Sequence, residues 1–512
     1  MGDEGNLHAP QTLEAITEVM QVMNVKNCIM NAQTNKPIIG VVYDALSGSY
    51  LLTQNETRVD IDTYMDCLML MTARSQLASL EQRLTKFGIP SRVYYYLDNN
   101  GQPIYVTAEQ ATQIQIEVTK LVEQAEQARI TQQTQLAKEL EARQIYLRSF
   151  VPGRVLFSAL LPEDFYYSKG DVYIINGILI NGTITKDHIG TSHGSIIQAL
   201  WKDYGRDRTV DFLTDVPFVV NRWLTDRPLT VGLKDCYPKD ETHRQLLAEE
   251  IAKTTLSVQA LGTRLADPVE EERHEKQVIG YLHAAKNIGS RISTEKLTPD
   301  NSLRVMAESG AKGSTSNIAQ ITGLLGQQFI KGSQRMPMSL SGGTRCLPYF
   351  EKEEIDPRAR GFCVGSFLSG LTPAELFFHQ ASGREGLMDT AVKTSETGSI
   401  HHRIIKALED IKVAYDGSVR NAVGTVFQFV YGEDGFDAAE LEKVKTVSGD
   451  TTSFIDLKRT VGRLNARYGF HKLPSTTKTD KKLDVEEQEI EREFSYEEEV
   501  DLDMAEVEVD ND

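Results

Sequence analysis

Leu371-Thr372-Pro373-Ala374-Glu375 opens the stretch that decides the fold. It continues through Phe378-His379 and Gly383-Arg384-Glu385-Gly386 to Thr394-Ser395-Glu396-Thr397-Gly398 and Lys406-Ala407-Leu408. Thr372 can cap a helix, Pro373 suits the first helical position, and Glu375 can reach back to the cap. No proline follows before Pro474, and the helical pattern runs to about Ala414. That predicts a rod of about 60 Å. Gly383, Gly386 and Gly398 lie inside it. Each costs on the order of 1 kcal/mol relative to alanine, so a purely structural helix is not expected to keep three. Glycine does permit a bend, or close approach of a backbone or ligand. Thr390, Thr394, Thr397 and His401 share one face. Small hydroxyls there could lie beneath a flat ligand such as a base pair. Arg384, Lys393, Arg403 and Lys406 add charge suited to phosphates, and Ile400, Ile404, Leu408 and Ile411 form an apolar stripe for docking. The alternative is a buried core helix whose polar groups are satisfied internally, and periodicity alone leaves both readings open.

Outward from the rod, the chain has the composition of a globular protein. Its 512 residues are 40% hydrophobic and 25% charged, which excludes a wholly disordered or fibrous chain. No apolar run reaches the ~18 residues of a membrane span, and the polar start Met1-Gly2-Asp3-Glu4-Gly5 does not read as a secretory signal. The net charge is -18, but residues 481–512 hold 15 acidic against three basic residues, leaving -6 on the rest. The acidity therefore belongs to a tail, and a near-neutral body can still gather cations along a groove. Cys28, Cys67, Cys236, Cys346 and Cys363 are odd in number and widely spaced. They read as reduced thiols rather than a disulfide framework or zinc site.

Along the chain, Ile38-Ile39-Gly40-Val41-Val42 reads as a buried strand after the break at Asn35-Lys36-Pro37. Arg92–Leu97 and Pro103–Val106 form a hairpin about Asp98-Asn99-Asn100-Gly101. Thr107 and Gln110 make a capping box for a Gln-rich helical arm reaching about Arg148. Val172–Ile175, Ile178–Ile180 and Thr183–Thr185 read as a meander joined by two Asn-Gly turns. A helical hairpin follows, one helix from about Glu241 to Leu265 and the next opening at Asp267-Pro268-Val269-Glu270. Ser309–Ser314 (SGAKGS) has the wrong spacing for a phosphate loop. From about Ser475 the acidic tail is expected to be disordered.

The run Leu371–His379, then Gly383–Thr394 (GREGLMDTAVKT), Glu396-Thr397-Gly398, Lys406–Asp410 and Gln428–Gly435 (QFVYGEDG) closely resembles the bridge helix, and the segment after it, of multisubunit DNA-dependent RNA polymerases. The resemblance is to the largest subunit, of the eukaryotic RNA polymerase II or large-DNA-virus type. Asn6–Gln11 and Asn35-Lys36-Pro37 resemble the stretch after that family's catalytic loop, and Gly310–Gln328 (GAKGSTSNIAQITGLLGQQ) is similar to its glycine-rich segment by the substrate entry pore.

The resemblance implies an α+β, multidomain chain with a mixed pore domain of short strands, a helical-hairpin funnel, one long bridge helix and a disordered acidic tail. It divides the chain into the end of the active-site region with the first part of the pore (1–75), a hairpin plus Gln-rich insertion (76–149), pore (150–235), funnel (236–370), bridge helix (371–415), the start of a post-bridge cleft region (416–475) and the tail (476–512). The implied activity is nucleotidyl transfer in transcription: a primer 3′-hydroxyl attacks the α-phosphate of a ribonucleoside triphosphate under two magnesium ions. Of the family's N-A-D-F-D-G-D metal loop, only Asp3 aligns, as the third aspartate. Asp3 is thus the implied catalytic and Mg2+-binding residue, with a preceding chain expected to supply the rest. The chain also stops before the family's trigger loop and lacks its N-terminal clamp. It therefore reads as the middle piece of a subunit encoded in parts, or an exon product, and inactive alone.

Lys393, Thr394, Ser395, Thr397 and Arg403 are the implied nucleic-acid contacts, Thr394 and Ser395 beside the template base. The alternative for Lys393 and Arg403 is pairing with Glu396 or Glu409. Ser395 and Ser399 depart from the family's usual alanine and tyrosine. His379, His401 and His402 read as structural, since no third metal ligand has suitable spacing. The expected partners are the remaining polymerase subunits, including the rest of the largest subunit and the second-largest, with template DNA, RNA product and ribonucleoside triphosphates, and no membrane. The expected setting is intracellular: nucleus, cytoplasm, viral factory or virion. A non-catalytic scaffold derived from a polymerase fragment is the alternative function.

Overall fold

The structure, a computed structural model, describes residues 5–72, 74–97, 103–130, 148–237, 242–262, 268–446 and 449–469. Asp3, the turn at 98–101, the second half of the Gln-rich arm and the acidic tail lie outside the described residues. The fold is α+β with small sheets, and no helix among the described residues is long and apolar enough to cross a membrane.

The first body is organised around the helix Ile196–Asp226, which is kinked at Gly205 (φ 81°) and contains Pro217. Phe212, Val216, Val219, Val220 and Trp223 bury one side of it, where Leu46, Leu52, Phe157, Phe165 and Ile174 join the same core. The helix Tyr43–Leu52 comes close because Gly48 has no side chain. A Cβ there would stand 2.3 Å from Val220 Cγ1 and 2.8 Å from Leu224 Cδ1. Two sheets flank this core. One is four-stranded, in the order Arg58–Asp60, Arg148–Pro152, Val93–Leu97, Pro103–Val106. The other pairs Tyr167–Lys169, Val172–Ile175 and Ile178–Asn181. Asn176 and Gly177 both take positive φ (49° and 69°), as a tight right-twisted hairpin requires.

Two expected strands are absent. Ile38–Val42 pairs with no strand: Lys36–Pro37 pairs with Met30–Asn31 instead, and Val41 N–H donates singly to the Ile189 carbonyl at 2.9 Å. Gly40 runs too close to Gly190 for a ladder, with a Cβ there falling 2.9 Å from its backbone. Thr183–Thr185 leaves the meander because its polar groups find other partners. Ile184 N–H donates to Thr53 Oγ1 at 2.9 Å, and Thr185 caps the short helix Lys186–Ile189.

The second body is the helical hairpin Thr242–Ala260 and Pro268–Glu295, packed with the helix Thr315–Thr322. Leu247, Ile251, Val258, Val278, Leu282, Leu324 and Phe362 form its core. Buried His243 reaches Ser293 Oγ at 3.2 Å, and burial, with Arg244 and Lys296 nearby, lowers its pKa. Ser309–Ser314 is a helix-to-helix turn. Gly310 (φ 76°) ends Ser302–Ser309, and Ser314 caps the next helix in a box closed by its own Asn317. No phosphate loop is formed.

After the rod come a three-stranded sheet (Lys412–Val413, Val419–Arg420, Val426–Gln428), the hairpin Glu442–Thr446 with Gly449–Ser453, and the helix Leu457–Tyr468. This segment returns to the first body. Arg459 donates to both oxygens of Glu442 at 2.7 and 2.8 Å and lies 3.5 Å from Asp203, while Gly462 lets the helix sit directly on Tyr166. All five cysteines are free. Burial pushes the Cys67 thiol up to about 11 and the Cys363 thiol up to about 12, which suits packing rather than reactivity.

Candidate nucleic-acid interface

The rod is one continuous α-helix, Pro373–Leu408, of 36 residues, about 54 Å long. It ends six residues before the expected Ala414, because Ile411 N–H turns back to the Leu408 carbonyl and Lys412–Val413 goes into a strand.

Its first half is bolted down. Glu375 N–H donates to Thr372 Oγ1 at 3.3 Å, and Thr372 N–H donates to Glu375 Oε2 at 2.9 Å. The other Glu375 oxygen accepts from Val364 and Gly365 N–H at 2.7 and 3.0 Å. Burial raises the Glu375 pKa, but the hydrogen bonds from Thr372, Gly365 and Val364 outweigh it and hold the carboxyl below its usual range. Phe378 is the one fully buried residue of the rod, packed with Leu325, Met336 and Cys363 and stacked on Phe350. His379 contacts Gln328 Oε1 at 3.2 Å and meets Phe367 edge-on, a structural role as expected. Ser382 donates to the Phe329 carbonyl at 2.8 Å, and Lys331 N–H donates to Glu385 Oε1 at 2.6 Å.

Beneath that base, Glu275 holds two arginines. Arg335 binds it through two hydrogen bonds of 2.9 and 2.8 Å, and Arg360 binds the same carboxylate. Burial raises the Glu275 pKa, and the two guanidiniums override it to lower it. Sequence reading missed this cluster. Its members lie 60 and 85 positions apart, and only the fold brings them together.

From Gly386 to Leu408 every residue is exposed. The core-helix alternative is therefore excluded for this half. Leu387 (68%), Met388 (58%), Val392 (55%) and Leu408 (54%) stand in the open. A Cβ at Gly383, Gly386 or Gly398 would meet nothing within 4 Å. No neighbour within the described chain demands those glycines.

Thr390, Thr394 and Thr397 donate their hydroxyls back to carbonyls of the previous turn, Thr394 to Thr390 at 2.7 Å and Thr397 to Lys393 at 2.6 Å. Such back-bonding leaves a low strip of methyl groups and lone pairs. Lys393 pairs with Asp389, not with Glu396, and that carboxylate raises its pKa. Lys406 takes Glu409 at 2.9 Å. Among the described residues Arg403 enters no ion pair, and Ser395, His401 and His402 are exposed. The structure thus places Lys393, Thr394, Ser395, Thr397 and Arg403 together on the open half. Asp3 lies outside the described residues, which contain no group of three or more His, Cys, Asp or Glu able to hold a metal ion.

The architecture is that of an α+β chain carrying a long, capped rod, exposed over its second half, beside a helical hairpin. Three family models match in chain order: RNA polymerase Rpb1 domain 3 over residues 28–236, domain 4 over 263–363 and domain 5 over 370–493. The chain belongs to the largest-subunit family of multisubunit DNA-directed RNA polymerases, of which it matches a middle portion. It is similar to the probable DNA-directed RNA polymerase II subunit RPB1 homolog of Invertebrate iridescent virus 6, with 31% identity over 91% of this chain and 42% of that protein. It is also similar to the DNA-directed RNA polymerase III subunit rpc1 of Schizosaccharomyces pombe, with 31% identity over 92% of this chain and 31% of that protein. The DNA-directed RNA polymerase II subunit RPB1-B of Trypanosoma brucei brucei is 32% identical over 86% of this chain and 22% of its own length. The chain spans less than half the length of these relatives.

Proposed function

We propose that this chain provides the pore, funnel and bridge-helix portion of the catalytic largest subunit of a DNA-dependent RNA polymerase, working inside the cell in transcription. The observation that carries the reading is the rod: rigidly anchored over its first half, exposed on all sides over its second, and glycine-bearing where nothing in the described chain requires glycine. A base pair of template and product lies on the Thr390–Thr394–Thr397 strip, with Ser395 and Gly398 giving it room. Lys393 and Arg403 face phosphates, Lys393 trading its exposed Asp389 partner at little cost. Magnesium is assigned to Asp3 together with other carboxylates of the assembled enzyme. The described residues do not form that site.

In this reading the chain works only in an assembly with the remaining subunits. The test purifies the assembly that forms on the tagged chain and supplies a primed DNA template with ribonucleoside triphosphates. Thr394→Tyr and Arg403→Glu are expected to lower template-directed incorporation at least tenfold while leaving the assembly intact. Full incorporation by both variants contradicts the reading. Assembly without any template-directed synthesis favours the scaffold.

A further inference from the structure

Where the helix Leu457–Tyr468 returns to the first body, it packs with its charged and small residues inward. Ala466 is buried, Gly462 rests on Tyr166, Arg459 is held by Glu442, and Arg463 lies 3.4 Å from Asp203. Leu457, Val461, Leu464 and Tyr468 recur at steps of four, three and four on the opposite side and are 44–73% exposed. An amphipathic helix ordinarily turns such a stripe toward the core. A contiguous apolar strip left open marks an interaction surface.

The shoulders of the stripe define what fits it. Lys458 stands on one side and Arg467 on the other, both exposed, and among the described residues neither enters an ion pair. The helix, LKRTVGRLNARY, carries four cations and no acid. An occupant therefore needs apolar anchors at helical spacing, flanked by carboxylates. The chain holds such a segment shortly beyond the helix, in residues 483–494 (LDVEEQEIEREF), which lie outside the described residues. Leu483, Ile490 and Phe494 fall at steps of seven and four, as do Leu457, Leu464 and Tyr468, and six acids surround them against one arginine. A stretch this acidic has too little apolar surface to fold alone, so it needs a partner surface. The tether is long enough. Gly469, in the left-handed region at φ 80°, ends the helix. The 14 residues 469–482 span up to about 46 Å, against about 18 Å for the helix. Tethering also holds the segment at an effective concentration on the order of millimolar.

We propose that residues 483–494 dock on the stripe of the helix Leu457–Tyr468. Leu483, Ile490 and Phe494 pack against Leu457, Leu464 and Tyr468, while the acids line Lys458 and Arg467. The pairing is that of a short two-helix coiled coil, with an apolar seam inside and opposite charges along its edges. The first part of the acidic tail is thus an internal ligand of the fold. The inference does not depend on the reading of the rod.

The test places a photo-crosslinking amino acid at Leu464 in the full chain, with the exposed Leu256 of the helix Thr242–Ala260 as the control, and maps the products by mass spectrometry. The expected result is a crosslink from position 464 to residues 483–494, at a yield unchanged by tenfold dilution and at least tenfold above that from position 256. Ile490→Asp/Phe494→Asp should lower it at least tenfold and Lys458→Glu/Arg467→Glu at least threefold, with thermal melting checking that both stay folded. No crosslink to the tail, equal tail crosslinking from position 256, or a yield unchanged in either folded double variant overturns the proposal. A yield that falls with dilution overturns it in favour of a second copy of the chain.

Discussion

Gly398 sits in a helix where alanine would be more stable by on the order of 1 kcal/mol, and nothing within 4 Å would resist the added methyl. Gly398→Ala is therefore expected to leave the chain as stable or slightly more so by thermal melting, yet to slow template-directed synthesis severalfold in the assembly. A variant slower and also less stable would place the glycine's role inside the chain. Glu275 behaves oppositely. Removing its charge leaves Arg335 and Arg360 facing each other in a largely buried place, so Glu275→Gln is expected to cost about 3 kcal/mol in denaturant unfolding at pH 7. Because the folded pKa is depressed, that contribution is present above the ordinary carboxylate range and is lost as pH falls through the folded value. The difference between the parent and Glu275→Gln should shrink steadily in acid. A pH-independent difference would mean that packing, not charge, is at stake.

At the scale of elements, the helix Tyr43–Leu52 meets the helix Ile196–Asp226 through Gly48. Gly48→Val must displace Val220 or Leu224, and is expected to destabilise by about 2 kcal/mol in chemical unfolding. The rod's anchor gives a second test. Glu375→Ala removes the acceptor for Thr372, Val364 and Gly365 N–H, opening one side of the capping box, and should raise amide exchange in the first turn of the rod while leaving the Gly48 contact protected.

These elements were unequally legible in the sequence. Thr372-Pro373-Ala374-Glu375 announced the rod because capping is local chemistry. The hairpin at Pro268 was legible for the same reason. The helix Ile196–Asp226 was not, since Gly205 and Pro217 punctuate it, and its burial on one side depends on partners far along the chain. Ile38–Val42 has a strand's composition, but only the approach of Gly190 decides that it runs alone. Periodicity left open whether the rod was buried, because exposure is a property of its neighbours. The likeness of GREGLMDTAVKT to a known family carried the choice, and the coordinates add that Lys393 turns to Asp389.

For the whole molecule, the segment after the rod is tied back through Arg459, Glu442 and Asp203. Arg459→Ala is expected to free the helix Leu457–Tyr468, so that limited proteolysis cuts near residue 456 while the core of the first body stays resistant. Cleavage no faster than in the parent chain would show that the Gly462–Tyr166 contact suffices alone.

In the proposed function, the open half of the rod lies against a template base. The most direct measurement places a photo-crosslinking amino acid at Thr394 in the assembled complex, with Ile400 on another part of the rod as the control, and maps the products on a primed template. The expected result is a crosslink from position 394 to the template base at the point of nucleotide addition, and little or none from position 400. A crosslink to protein alone from position 394, or equal template crosslinking from both positions, would contradict it.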